Sequence, residues 1–423
     1  MIERGDELVI TGVGVATSGA FGLSAHWDLL RDGVVKADAD AYSMRTFKPA
    51  AHLKDPRVMK AVSATDGIGL AALGDLHRAN APSAADYPAA RCGIYTGSPG
   101  PVSSDISPYL EAMLRASDAQ GHIDGGEFGR TAMATRPTTL LASLANNVLC
   151  YGSMIFEAQG PNSNYISGAL SGHIAVQNAA KRLRRQQLDY VVAGGFGLHT
   201  EAVDLGMHTC LGHVLASGEQ KLHTVMPYEE ELAAAGGDGC VMADGGAFVG
   251  IERRGAAVAR GAAILATYVA GATLSDGLGP MRLDPDGVNY SRAILQALAA
   301  AQVRPAEVGL VLGNASGIRD LDRCELAALR RVFTGLDSPH GRPALGMTTR
   351  VLGNLMEASG VLELGLVSKL FAHGELPAVM SAPASTGFSN HMDARQTDAP
   401  YALVLKASPW GEYSCIVLRR ELS

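Results

Sequence analysis

The amino-acid sequence predicts an α/β protein with central sheets. Three observations carry that prediction. Short apolar runs punctuated by glycine recur along the chain, stretches with helical spacing lie between several of them, and the combination is found in both halves. "ELVITGVGV" (7–15) reads as a buried strand. The runs at 91–97, 190–195, 246–252, 309–315, 343–349, 401–407 and 414–420 are similar. Helical patterns occupy 61–80, 138–151, 171–186, 289–302, 322–334 and 355–372. The segment 256–272 reads as a seam, which divides the chain into an N-terminal half, 1–255, and a C-terminal half, 256–423. Each half has a strand-rich core and a turn of the kind that seats a nucleophile, which points to an internal duplication.

Composition limits the function. The chain has 423 residues, 47% of them hydrophobic, long enough for two cores or one large fused one. Aromatics make up 5%, so the core must rest on Ala, Val, Leu and Ile. A net charge of −7 argues against a general nucleic-acid binder. "KRLRRQQ" (181–187) is either a solvated helix end or a local patch for an acidic partner. The six cysteines, Cys92, Cys150, Cys210, Cys240, Cys324 and Cys415, form no CxxC pair and no metal-ligand spacing with histidine, so reduced thiols in a cytoplasmic protein are expected. Cys150 and Cys324 fall in helical patterns and read as packing residues. The N-terminus lacks the apolar core of a signal peptide, and no window of about 18 uninterrupted apolar residues suggests a membrane span. "GVGVATSG" (12–19) lacks GxGxxG spacing, so its glycines read as close packing and not as a nucleotide site. No cofactor is expected.

"GPNSNYISGALSG" (160–172) is a small-residue turn leading into a helix N-terminus, a good seat for a nucleophile, yet its centre is Ala169. Ser167 and Ser171 would need a nearby base, which the sequence does not supply at the expected positions. Ser171 therefore reads as an N-cap. His173, one turn further on, reads either as a base aimed at the vacant pocket or as a core or surface histidine.

Together these segments resemble the β-ketoacyl-acyl carrier protein synthases of the thiolase fold, over nearly the whole chain. "VITGVGVATSGAFG" (9–22) resembles the family's opening strand. "GP" (160–161), "SG" (171–172) and "VVAGG" (191–195) follow at family spacing, and "TTRVLGNLMEASGVLELG" (348–365) resembles its lysine-containing loop and following helix. The resemblance implies two duplicated halves in a five-layer α-β-α-β-α arrangement. It also implies a Cys-His-His site, with a thiolate at a helix N-terminus and fixed donors for developing negative charge. At each catalytic position this chain departs from the family. Ala169 stands for the cysteine, Ser316 in "GNASG" and Asn354 in "VLGNLMEASG" for the two histidines, and Arg350 for the lysine. "SPWGEYS" (408–414), with Trp410, Gly411 and Glu412, stands in place of the mobile glycine-rich gating loop.

The vacancies match the chain-length factors, or ketosynthase β subunits, of type II polyketide synthases. "GNASGIRDLDRCELAALRRVF" (313–333) and the Trp410-Gly411 tail resemble that subfamily, although aromatic chain-length factors often carry Gln where Ala169 stands. That departure leaves open a relative in polyene or aryl-polyene synthesis. The resemblance implies a subunit without independent activity, paired as a heterodimer with a Cys-containing ketosynthase α subunit. The acyl carrier protein would present its phosphopantetheine-bound chain to the partner. Leu141, Leu144, Ala145 and Val148 in 138–152, with Leu205 and Met207, would wall the acyl tunnel at the subunit interface, or serve as ordinary core and contact residues. Asp322 and Glu325 would make buried hydrogen bonds or ion pairs. The alternatives are an acyltransferase or cyclase using Ser167, Ser171 or His173, and a homodimeric scaffold for carrier-bound chains.

Overall fold

The computed structural model describes residues 4–33, 61–80, 82–83, 85–100, 103–134, 138–201, 205–206, 227–229, 239–279, 281–333, 335 and 341–421. Ten strands form one hydrogen-bonded sheet: β1 Leu8–Thr17, β2 Cys92–Gly97, β3 Ser163–Tyr165, β4 Tyr190–Gly197, β5 Gly245–Arg253, β6 Ala266–Ser275, β7 Val308–Leu312, β8 Ala344–Gly346, β9 Tyr401–Ser408 and β10 Glu412–Arg419. Their order is β3-β2-β4-β5-β1-β6-β10-β9-β7-β8. Outward from the middle the order repeats. β1, β5, β4, β2 and β3 on one side correspond to β6, β10, β9, β7 and β8 on the other. In both sets the inner two pairings are antiparallel and the outer two parallel. The sets join where Leu8, Val9 and Ile10 pair with Tyr268, Thr267 and Ala266.

Six helices cover the sheet: α1 Ala64–Asn80, α2 Asn147–Ile155, α3 Ser171–Arg184, α4 Val288–Ala301, α5 Arg319–Phe333 and α6 Ser359–His373. The alternation of strand side chains sorts them into layers. Tyr190, Val192 and Phe196 of β4 face α1 and α2, while Val191 and Ala193 face α3 and α6. In the second set Leu403 and Leu405 of β9 face α4 and α5, while Ala402 and Val404 face the same α3 and α6. The result is five layers, α-β-α-β-α, with α3 and α6 in the centre. Strands covered on both faces read as continuous apolar runs, and β1 is buried at every position. α6 is buried at every position from Ser359 to Val367 because it lies in the central layer, with Glu363 the one charged residue of that stretch. α5 carries charge on its outer face, as an outer-layer helix does. The glycines of "GVGV" are packing residues: a Cβ on Gly14 would lie 2.2 Å from the Ala72 carbonyl of α1. No described helix is long and apolar enough to cross a membrane.

The seam 256–272 holds the end of a short helix, Arg254–Ala259, and most of β6, the strand that joins the two sets. Two expectations need correction. β3 is a further strand that the apolar runs do not mark. The single helix expected over 138–151 is two pieces, Thr139–Ala142 and α2. Asn147 causes the break, because its Nδ2 donates to the carbonyls of Leu141 (2.8 Å) and Ala142 (3.4 Å) and to Asp66 Oδ2 (3.1 Å).

Candidate functional site

The seat lies at the N-terminus of α3. After β3 the chain passes Ser167 and makes one 3-10 turn, Gly168–Leu170, with Gly168 left-handed at φ 51°. Ser171 is the first residue of α3 and not its N-cap. Its Oγ accepts from Ser167 N (2.7 Å) and donates to the Gly168 carbonyl (2.8 Å), closing the turn. The buried centre of this turn is Ala169, a methyl group with neither proton nor lone pair to offer. Ser167 Oγ has one described acceptor, Glu412 Oε1, at 3.4 Å.

Ser316 and Asn354 are both committed to local hydrogen bonds. Ser316 donates from N (2.8 Å) and Oγ (2.9 Å) to Asp322 Oδ1, and its Oγ accepts from Ile318 N. Asp322 Oδ2 accepts from Gly317 N and Tyr228 N. Glu325 accepts from Asn314 N, Ala315 N, Tyr228 Oη and Tyr290 Oη. The expected buried hydrogen bonds are therefore present: two carboxylates of α5 hold the 314–317 turn. Burial and the charge of Glu325 push Asp322 up to about 7, against the four donors that hold it. Asn354 pairs with the strand-like segment at Val241–Ala243, and its Nδ2 points to Cys240 Sγ at 3.7 Å. Arg350 lies in a short helix, Thr349–Leu352. The stretch aligned with the gating loop is a tight hairpin between β9 and β10. Gly411 is left-handed (φ 76°), Glu412 pairs with Ser408, and Trp410 is 46% exposed.

His173 does not face the seat. It lies in the central layer, with Nδ1 3.1 Å from Ser414 Oγ, while Nε2 has no hydrogen-bond partner among the described residues. Burial and the nearby Lys406 push its pKa down to about 3, so it is a neutral core histidine. Of the tunnel candidates, Leu141 and Leu144 are half exposed, Ala145 is partly buried, and Val148 is buried in the outer core against Gly69. Because the helix is broken, these four do not form one stripe. Leu205 packs on Cys240 and Met242, and Met207 lies outside the described residues. Cys150 is exposed and so is not a packing residue, whereas Cys324 is buried and its Sγ donates to Tyr413 Oη.

Sequence reasoning missed four features around the seat. Met356 follows Asn354 and Leu355 in a left-handed conformation, φ 46°. His199 Nε2 and Glu357 Oε2 lie 2.7 Å apart, almost fully buried. Cys240 and Met242 form a sulfur pair, Sγ to Sδ 3.6 Å, with burial pushing the thiol up to about 11. Lys406 and Glu363 make a buried ion pair at 2.9 Å. The available signal was charge inside apolar runs: Glu357 in "NLMEASG", Glu363 in "GVLELG" and Lys406 in "LVLKAS". Ala315 (φ 43°) and Tyr228 (φ 67°), both bonded to Glu325, are left-handed, as are Met356 and Gly168. Such strain persists where the surroundings over-determine it.

The fold and this site together define a thiolase-like condensing-enzyme scaffold. The profile of the β-ketoacyl synthase N-terminal domain matches residues 76–257 and that of the C-terminal domain residues 265–382. The chain belongs to the β-ketoacyl synthase family. It is 24% identical to the tetracenomycin polyketide synthase ketoacyl synthase alpha subunit of Streptomyces glaucescens, over 88% of this chain and 86% of that one. Among solved structures it is similar to the ishigamide ketosynthase/chain length factor (TM-score 0.78, 18% identity, covering 98% of this chain and 99% of that one). A chain of the complex of a type II polyketide synthase acyl carrier protein with its ketosynthase bound to the hexaketide matches equally well (TM-score 0.78, 19% identity, with the same coverage).

Proposed function

We propose that this chain is a non-catalytic chain-length factor. It pairs in the cytoplasm with a Cys-containing ketosynthase and shapes the acyl tunnel while the partner elongates a polyketide on acyl carrier protein. The observation that carries this reading is Ala169 at the centre of a nucleophile-style turn, with the Ser316 and Asn354 side chains spent on local hydrogen bonds. Decarboxylative condensation needs a nucleophile and fixed donors to the developing charge, and these three side chains supply neither an imidazole nor a thiol. In this reading the 1–255 half holds the vacant nucleophile position and the 256–423 half the two vacant histidine positions. The exposed Leu141 and Leu144 are contact residues for the partner. The match to a ketosynthase/chain length factor structure supports this reading.

The test is native mass spectrometry after co-expression with an intact Cys-His-His ketosynthase. A one-to-one heterodimer is expected, with no turnover of malonyl-carrier protein by this chain alone. Homodimers that ignore the ketosynthase, or turnover by the lone chain, overturn the reading. One observation favours a second reading, an acyltransferase: the Ser167 Oγ to Glu412 contact at 3.4 Å. Acyl transfer lost in Ser167→Ala would select it.

A further inference from the structure

The turn at 354–358 is built to place one side chain. Asn354 N donates to the Val241 carbonyl (2.7 Å) and its own carbonyl accepts from Ala243 N (3.0 Å), so the turn starts from a fixed rail. Asn354 Oδ1 accepts from Met356 N (3.0 Å), and Leu355 N donates to Ser359 Oγ (3.1 Å). Glu357 is tied to His199 at 2.7 Å. Its carbonyl presses so closely on α3 and β4 that a Cβ at Gly172 or Gly195 would lie 2.2 Å from it. These holds keep Met356 left-handed, a conformation that residues with a side chain rarely adopt.

That conformation delivers the thioether to the seat. Leaving aside Gly168 and its two chain neighbours, the described atom nearest to a Cβ built on Gly168, the residue before Ala169, is Met356 Cε, at 3.9 Å. Met356 also packs on Cys240 and Met242 and is only partly buried, unlike a core methionine. Methionine is unbranched and fits irregular apolar space.

We infer that Met356 is a fixed stopper that shuts the Ala169 seat to a linear acyl thioester, with His199 and Glu357 as its positioning pair. The carrier-bound chain is then left to the partner's nucleophile. That purpose rests on the pairing proposed above, but the occlusion is a property of this chain and is measured without a partner.

The probe is a thiol introduced by Ala169→Cys in the full chain. A helix N-terminus favours the thiolate, so slow alkylation there reports occlusion and not a sluggish sulfur. The reagent is an N-hexyl iodoacetamide, and labelling is read by peptide mass spectrometry. Exposed Cys150 is the reference, and fully buried Cys415 reports unfolding. Adding Met356→Gly, which keeps a left-handed backbone without strain, should raise the ratio of labelling at 169 to labelling at 150 by roughly tenfold or more. Met356→Asn, also tolerant of that backbone, should act in the same direction if the glycine variant fails to fold. With Met356 retained, Glu357→Ala should raise the ratio partway, and Glu357→Gln should restore it. Equal ratios with and without Met356, while Cys415 stays unlabelled, overturn the stopper. A confirmed stopper in a chain that ignores every ketosynthase would instead discard the pairing.

Discussion

At the residue scale the chain balances two buried titrations of opposite sign. His173 has its pKa lowered from 6.5 to about 3, so below pH 6.5 the unfolded chain binds the proton and the folded one does not. Its contribution is complete above pH 6.5 and is lost as the pH falls toward 3. Asp322 is raised from 3.8 to about 7, so the folded chain binds a proton that the unfolded chain has lost. Its contribution is present below pH 4 and disappears as the pH rises to 7. Each slope is at most about 1.4 kcal/mol per pH unit, and the two oppose each other between pH 4 and 6.5. In urea melts over that window the parent's slope of stability against pH should therefore lie between those of the two single variants. Asp322→Asn should unmask a rise in stability with pH, and His173→Gln a fall. Parallel profiles for both variants would show that these groups do not titrate as their burial requires. The reading of Ala169, Ser316 and Asn354 as vacated positions comes from the sequence alone, because catalysis demands particular residue types at fixed places in a motif. Met356 was not legible, since a left-handed methionine, unlike a left-handed glycine, has no sequence signature.

At the element scale, close approach of backbones fixes how α3 and the 354–358 turn meet. Gly172→Ala would put its Cβ 2.2 Å from the Glu357 carbonyl, and neither backbone is free to retreat. It should cost about 3 kcal/mol, the upper range for overpacking. Gly129→Ala, in the helix Gly125–Met133 with nothing within 4 Å of the new methyl, should instead gain up to about 1 kcal/mol. Denaturant midpoints of the two variants check the contrast, and similar effects from both would contradict the packing described. The long helices of the central and outer layers were legible because their apolar spacing runs for three turns or more. The break before α2 was not, because it depends on Asn147 capturing carbonyls at 141 and 142 through a fold that also brings Asp66 to it. β6 was hidden for a related reason. "AILATYVAGA" continues the small-residue composition of "RGAAVARGA", and only its pairing with β1 and β10 makes it a strand.

At the scale of the whole molecule, the duplication does not yield two independent bodies. The repeated strand order could be built from separable halves, but the middle layer is shared. α3 comes from the first half and α6 from the second, and both pack in one cluster with strands of both sets. β1 and β6 close the sheet across the seam. The ion pairs of Arg254 with Glu7 and Glu421, and of Arg419 with Glu7, tie the chain's beginning and end to the same seam. A common core predicts common melting, and the two tryptophans report on it, one in each half. Trp27 is buried and stacks on His373 of α6, ring centroids 4.9 Å apart, while Trp410 sits on the exposed β9–β10 hairpin. Trp27→Phe leaves a probe of the second half, and Trp410→Phe leaves a probe of the first. After correction for the small stability change of each substitution, their fluorescence midpoints in urea should coincide with each other and with the loss of far-ultraviolet circular dichroism. Separate midpoints would mean that the shared layer does not couple the halves. The seat, which takes Ala169 from one half and Asn354 and Met356 from the other, would then depend on a docking step and not on a single fold.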